Sequence, residues 1–484
     1  MRRKTWVGAV VGGGLVLGLG LAVLRNAPRS RRPLGGQHAV RPATDDSPLP
    51  MEANSTKAPA QLISTLAMAP EKDLAWGRFR GPNGTGISQA QGIPTTWSDS
   101  ENVLWKTALP GPGSSSPVLT DQYVFITCYS GYGENRAATG NIGQLKRHLL
   151  CIQRSDGAIV WNRTVDSDAS EDPYRGMGLP EHGYATNSPV TDGQQVYAFF
   201  GKSGVLAFNM QGEELWRVSV GKESGNRQWG SAASLILVGN LLVVNAAEES
   251  QSLVALDKAT GAKVWQAPAA SLELSYGTPA VVHVDDSRDE LVLAVPGEVW
   301  GLNPQTGKLN WYVETSMTDN LSPSVIVDGD RIYAFGGYRS SGSIAIRAGG
   351  KGNVTNSHVL WKSRNTSYVA TPVLVAGKLF WIDDRGMYYC ADAATGELLE
   401  RARTPGIASG ERPVYASPIV IGGKIYAQTR NSGLFVLEPE TKLTIVAHNK
   451  LAADNSTFNA TPAVDARQLF LRSYQNLYCI GTAQ

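Results

Sequence analysis

The chain is poor in the residues that carry most metal and nucleophilic chemistry. Of 484 residues only four are cysteine and six are histidine. Four cysteines are too few for a disulfide scaffold. The histidines at 38, 148, 182, 283, 358 and 448 form no HxH or HExxH pair, so a metal hydrolase has no ligand set. No G-x-S-x-G nucleophile elbow and no CxxCH haem motif occurs. An excess of one charge is missing too. Lys+Arg number 44 against 42 Asp+Glu, a formal net charge of +2, which argues against nucleic acid as a partner. With 42% hydrophobic and 18% charged residues the chain is too apolar for general disorder.

A long apolar run occurs once. Residues Val7 to Leu24 carry no charge over 18 positions, and a helix of that length spans about 27 Å, close to the ~30 Å hydrocarbon core of a bilayer. Residues 1–25 therefore read as an N-terminal transmembrane anchor or a signal helix, with Arg2, Arg3 and Lys4 before the run and Arg25 directly after it. No cysteine precedes Cys128, which excludes a lipid-modified cysteine anchor. Residues 26–75, rich in Pro, Ala, Ser and Thr, read as a disordered linker. Residues 76–484 read as one exported domain in the cell envelope, on the extracytoplasmic (periplasmic) side.

What the chain has in quantity is glycine and tryptophan, 52 and 12 residues. Glycine without a G-X-Y period excludes collagen and points to many tight turns. The turns belong to a repeat. A Ser/Thr-Pro phrase opens a short apolar run at Ser116-Pro117, Ser188-Pro189, Thr278-Pro279, Ser322-Pro323, Thr371-Pro372, Ser417-Pro418 and Thr461-Pro462, with Ala233-Ser234 in its place in the third copy. Two further apolar runs, a Thr-Gly type turn and a tryptophan follow, the last at Trp161, Trp216, Trp265, Trp311 and Trp361. From the second copy onward these phrases are spaced by 44 to 49 residues, the length of a four-stranded propeller blade. The eighth copy stops after three strands, and Asn102 to Lys106 supplies a spare fourth-strand phrase before the first copy. The expectation is an all-β, eight-bladed β-propeller, its ring closed by an N-terminal strand. Aligned third strands place Cys151, Ala207, Ala255, Gly301, Ala345, Cys390, Val436 and Cys479 in one column of mostly small residues, as tight packing between blades requires. A Cys128–Cys151 bridge stays open.

The phrases Ala255 to Trp265 and Gly301 to Trp311 resemble the tryptophan-docking repeat of quinoprotein alcohol dehydrogenases, whose eight-bladed propeller binds pyrroloquinoline quinone (PQQ). The segment Trp76 to Ser88 resembles PQQ-like propeller proteins of the planctomycete type, and a related non-enzymatic branch is the BamB-type scaffold. The enzyme branch implies an adjacent cysteine pair, calcium ligands and a catalytic Asp. Here all four cysteines are isolated and no segment identifies the carboxylates. No catalytic residue, metal site or cofactor is expected, with PQQ and Ca the alternative.

Strand parity gathers candidate ligand- or partner-binding residues on one face. Before the strand-opening signals stand His182, Tyr184, Trp229, Tyr276, Tyr368, Tyr415 and Phe458, with Asn320 in the fifth copy. Near the turns between second and third strands stand Lys202, Glu248, Glu249, Glu298, Asp383, Asp384, Arg385, Arg430 and Arg472. Aromatic rings at a propeller mouth, ringed by charges of both signs, suit stacking of a planar ligand or sugar. The resulting expectation is a non-catalytic binding or scaffold module for a partner protein or an envelope polysaccharide, with a PQQ-dependent alcohol or sugar oxidoreductase and a carbohydrate-binding propeller as alternatives.

Overall fold

Short apolar runs separated by turn residues can bury themselves only by pairing side by side, and here they do so in eight sheets. The computed structural model describes residues 39–44, 76–134, 138–173, 183–285, 288–408 and 412–482. The run Val7 to Leu24 lies outside them, as does His182. Among the described residues no helix is long and apolar enough to cross a membrane.

Each sheet holds an antiparallel blade of strands A to D, and two sheets carry a fifth, parallel edge strand, Ile87–Ser88 and Gly352–Asn353. The first comprises Val118–Leu119, Tyr123–Ser130, Lys146–Gln153 and Ile159–Asp166. In the eighth, Ala463–Asp465, Gln468–Arg472 and Asn476–Ile480 are joined by Val103–Ala108, which pairs antiparallel with Asn476–Ile480 as the fourth strand. The spare phrase thus has the place that the strand count assigned to it.

The tryptophan column and the small column are one device. Cross-strand pairs set Cys479 against Trp105, Cys151 against Trp161, Ala207 against Trp216, Ala255 against Trp265, Gly301 against Trp311 and Ala345 against Trp361. A register shift adjoins each pair, and such a bulge adds local twist. Five indoles then reach the following blade. Nε1 of Trp105, Trp161, Trp216, Trp265 and Trp361 donates to the main-chain oxygens of Arg154, Met210, Lys258, Pro304 and Ala393, at 2.9 to 3.1 Å. Each ring covers a turn glycine of that blade. A Cβ on Gly157 would lie 2.6 Å from Trp105, so no side chain fits there. Trp311 departs from this pattern, since Nε1 donates instead to buried Glu290 at 2.6 Å and its ring covers Gly301 of its own sheet. All four cysteines are buried free thiols.

At the inner edge the strand-opening hydroxyls form a ladder. Main-chain N–H groups donate from Ser116 to Ser188 Oγ, and onward through Ser234, Thr278, Ser324, Thr371, Ser417 and Thr461, each bond 2.9 to 3.0 Å. The fifth member is Ser324, not Ser322. The ladder position stands two residues before the first paired strand residue, here Ile326, and the Ser-Pro dipeptide of this copy falls two residues too early. Ser116 Oγ, at the seam between blades eight and one, is buried without a hydrogen-bond partner among the described residues. Other bonds cross that seam, with Arg154 paired to Asp465 at 2.7 Å and Arg472 donating to Ser115 O at 2.8 Å.

Residues Trp76 to Ser88 lie across the inner strands as a plug. Trp76 O accepts from Leu119 N in blade one, Gly77 O from Thr191 N in blade two, and Gly86 O from Val420 N in blade seven. Ile87–Ser88 pairs parallel with Val420 and Ile421. Arg80, fully buried, donates to the main-chain oxygens of Gly84, Thr85, Thr371 and Pro372 at 2.8 to 3.0 Å. Burial lowers its pKa, and the four oxygens compensate the charge without any carboxylate. Within the span read as linker, residues 39–44 touch blade four. Arg41 pairs with Glu298 and lies 3.6 Å from the Tyr312 ring centroid.

Candidate binding site at the propeller mouth

The loops entering strand A and the turns between B and C share one face, and a cavity of about 560 Å³ opens at its centre. All eight ladder hydroxyl residues line it, and Phe79 reaches it from the plug. The outer wall is aromatic and cationic. Trp229 and Tyr276 stand 6.1 Å apart at an interplanar angle of 32°. Tyr368 and Tyr415 continue the wall, and Asn320 Nδ2 donates to Tyr368 Oη at 2.8 Å. Arg227 lies over Trp229 at 5.6 Å and pairs with Asp319 at 2.8 Å. Arg412 lies 4.4 Å over Tyr368.

The candidate residues divide among this cavity, a second one beside it lined by Asp383, Asp384 and Arg385, and structural duties. Trp229, Tyr276, Tyr368 and Tyr415 line the cavity. Tyr184 does not. Its hydroxyl donates to Asp172 O at 2.6 Å and its ring packs on Tyr129 and Tyr132, under the first-blade loop. Phe458 is buried against Tyr478 in the eighth blade. Glu248 and Glu249 are buried on the short helix Ala247–Ser250, behind the wall. Tyr276 Oη donates to Glu248 Oε1 at 3.1 Å and Ser231 Oγ to Glu249 Oε2 at 2.6 Å. Burial pushes each carboxyl up to about 7 against those hydrogen bonds. Lys202 nearby pairs with Asp172 at 2.9 Å, and Arg147 with Glu171 at 2.7 Å. Glu298 is taken up by Arg41 and Trp300. Asp383 accepts from the N–H groups of Arg385 and Met387 and so serves its own turn. Asp384 lies 3.5 Å from Arg412. Arg430 donates to Asn459 Oδ1 at 2.9 Å under Tyr415, and Arg472 is buried at the blade-eight seam.

Sequence reasoning missed Phe79, Arg227 and Arg412. The two arginines left a signal, since each precedes a mouth aromatic by two or three residues, Arg227 before Trp229 and Arg412 before Tyr415. Phe79 left none, because its place depends on the plug crossing the whole ring.

The cavity can be tested for a calcium-chelated quinone. Its size and ring-lined wall suit a planar ligand, yet among its described lining residues there is no carboxylate to chelate the cation and no cysteine. Nor do the described residues contain a metal-binding group of His, Cys, Asp and Glu. The residues present do not fit that group.

A family model described as outer membrane protein assembly factor BamB matches residues 131–273, 186–402 and 279–447, together running over well more than half of the chain. An outer membrane protein assembly factor BamB from Legionella pneumophila (strain Paris) is 27% identical over 216 residues, 42% of this chain and 50% of that protein. The chain therefore spans about half the length of that curated relative. Among solved structures, BamB from Moraxella catarrhalis has a TM-score of 0.53 at 13% identity, covering 78% of this chain and 98% of its own. A europium-containing methanol dehydrogenase has a TM-score of 0.62 at 11% identity, covering 85% and 99%. At such identities these structures share the fold alone. On the family match, the chain belongs to the family of outer membrane protein assembly factor BamB.

Proposed function

We propose that the chain is a non-catalytic binding propeller of the cell envelope that holds a partner protein or an envelope ligand against its mouth face. The observation that carries this reading is the make-up of the cavity wall. It offers aromatic rings, guanidinium groups, amides and hydroxyls, with no carboxylate, imidazole or thiol among its described lining residues. Rings and guanidinium groups bind by stacking and directed hydrogen bonds, whereas cation chelation draws on carboxylates absent from the described residues of this wall. Family membership supports the reading, because the relatives are named for outer-membrane protein assembly. In this account Val7 to Leu24 anchors the propeller on the extracytoplasmic side, and Val103–Ala108 holds the ring shut.

The test uses the full-length chain with PQQ and Ca²⁺, measuring binding and dye-linked alcohol oxidation. The expected result is neither binding nor turnover, together with capture of an envelope component that the Trp229→Ala/Tyr415→Ala variant loses. Stoichiometric PQQ binding with turnover overturns the reading.

A further inference from the structure

Beside the central cavity lies a second one of about 570 Å³, between blades five and six on the same face. Its wall has a charge surplus that the net charge of +2 conceals. Arg364, Arg385, Arg401 and Arg412 line it against only Asp383 and Asp384. Asp383 is occupied by its own turn, accepting from Arg385 N and Met387 N at 2.9 Å and from Tyr389 Oη at 3.2 Å. Asp384 has Arg412 as its ion-pair partner. Arg364, Arg385 and Arg401 are exposed and have no ion-pair partner among the described residues, although Arg401 lies over the Tyr389 ring at 5.6 Å. Guanidinium groups left in this state present forked donors suited to an oxyanion.

The ring chemistry narrows the ligand. Tyr338 is 52% exposed, held out on a turn where Gly337 has φ +86° and a Cβ would meet Ser340 O at 2.1 Å. Its ring stands 5.4 Å from Tyr368, which with Arg412 is shared with the central cavity. No aliphatic side chain is among the described residues of this wall. Tyrosine and arginine also anchor protein interfaces, but there surrounding contacts close over them and exclude water, and this groove has no aliphatic side chains to supply that closure. A polyhydroxylated anion needs only donors for its charge and a ring face for its C–H groups.

We propose that the groove between blades five and six is an anionic-saccharide subsite, where Arg364, Arg385 and Arg401 receive a carboxylate or sulfate and Tyr338 stacks on the sugar ring. The inference rests on the binding reading of the mouth face and names a ligand class for it.

The test measures binding of the full-length chain to oligogalacturonate, sulfated dextran oligosaccharide, neutral dextran and an oligoglutamate peptide of matched charge. Binding of either anionic saccharide at least tenfold tighter than both neutral dextran and oligoglutamate is expected, and the preferred arm identifies carboxylate or sulfate. Arg364→Ala/Arg385→Ala is expected to weaken it tenfold or more with the melting temperature unchanged, and Arg385→Lys, which keeps charge but loses the fork, to weaken it less. Tyr338→Ala is expected to weaken saccharide binding but not binding of inorganic sulfate. Equal binding of oligoglutamate, or no binding of either anionic saccharide, overturns the proposal. If the envelope component is still captured and still lost on Trp229→Ala/Tyr415→Ala, the mouth reading stands without it.

Discussion

Arg80 Nη1 lies 2.8 Å from the main-chain oxygen of Thr371, a residue whose own hydroxyl accepts from Ser324 N in the inner ladder. The plug is thus tied to the ladder by a buried charge. Arg80→Met leaves four main-chain oxygens without this donor, and an unmet buried acceptor costs about 1–3 kcal/mol. A loss of at least about 3 kcal/mol is expected in denaturant unfolding, with little recovery in Arg80→Lys, whose single ammonium cannot reproduce the fork.

The docking tryptophans test how the ring is held. Trp105 belongs to the strand that completes blade eight, yet bonds to Arg154 of blade one. Trp105→Ala therefore opens a void at the seam where the hydroxyl ladder lacks its eighth bond, and a cost of about 3–5 kcal/mol is expected. Deleting 102–106 is expected to abolish cooperative unfolding. Unchanged thermal unfolding in the deletion contradicts ring closure by this strand.

Stability should fall with rising pH across the near-neutral range. Burial raises Glu248 and Glu249 to about 7 from the ordinary 4.5, so between those values the folded state holds protons that the unfolded state has released. Their contribution is full below pH 4.5 and lost as pH passes 7. Glu248→Gln removes one titration and is expected to flatten the stability profile between pH 5 and 8, a difference of about 1–3 kcal/mol. Asp454 has the opposite sign. Burial is outweighed by hydrogen bonds from Ser456, Ser473 and Asn476, its pKa drops to about 2, and its contribution is lost as pH falls from 3.8 toward 2. A flat wild-type profile from pH 5 to 8 contradicts the burial of the glutamate pair.

The fold was legible because its causes repeat. Trp161, Gly212 and their counterparts recur at fixed spacing, since each blade must meet the next in the same way. The site was legible only where it follows that period, as at Trp229, Tyr276, Tyr368 and Tyr415. Glu298 misled because its partner, Arg41, comes from a segment with no periodic signal. Tyr184 and Phe458 misled because an aromatic before strand A can turn into its own blade as readily as toward the centre. That Arg364, Arg385 and Arg401 have no ion-pair partner among the described residues depends on which aspartates their neighbours consume, and only packing settles that.

The central claim is that this face binds. Photo-crosslinking in intact envelopes tests it, with p-benzoylphenylalanine replacing Arg227 or Tyr338 at the mouth and Gln305 or Thr395 in turns on the opposite face. The account predicts a discrete adduct from both mouth positions, none from the opposite face, and loss of the mouth adducts in the Trp229→Ala/Tyr415→Ala background. Adducts from Gln305 and Thr395 with none from the mouth contradict it.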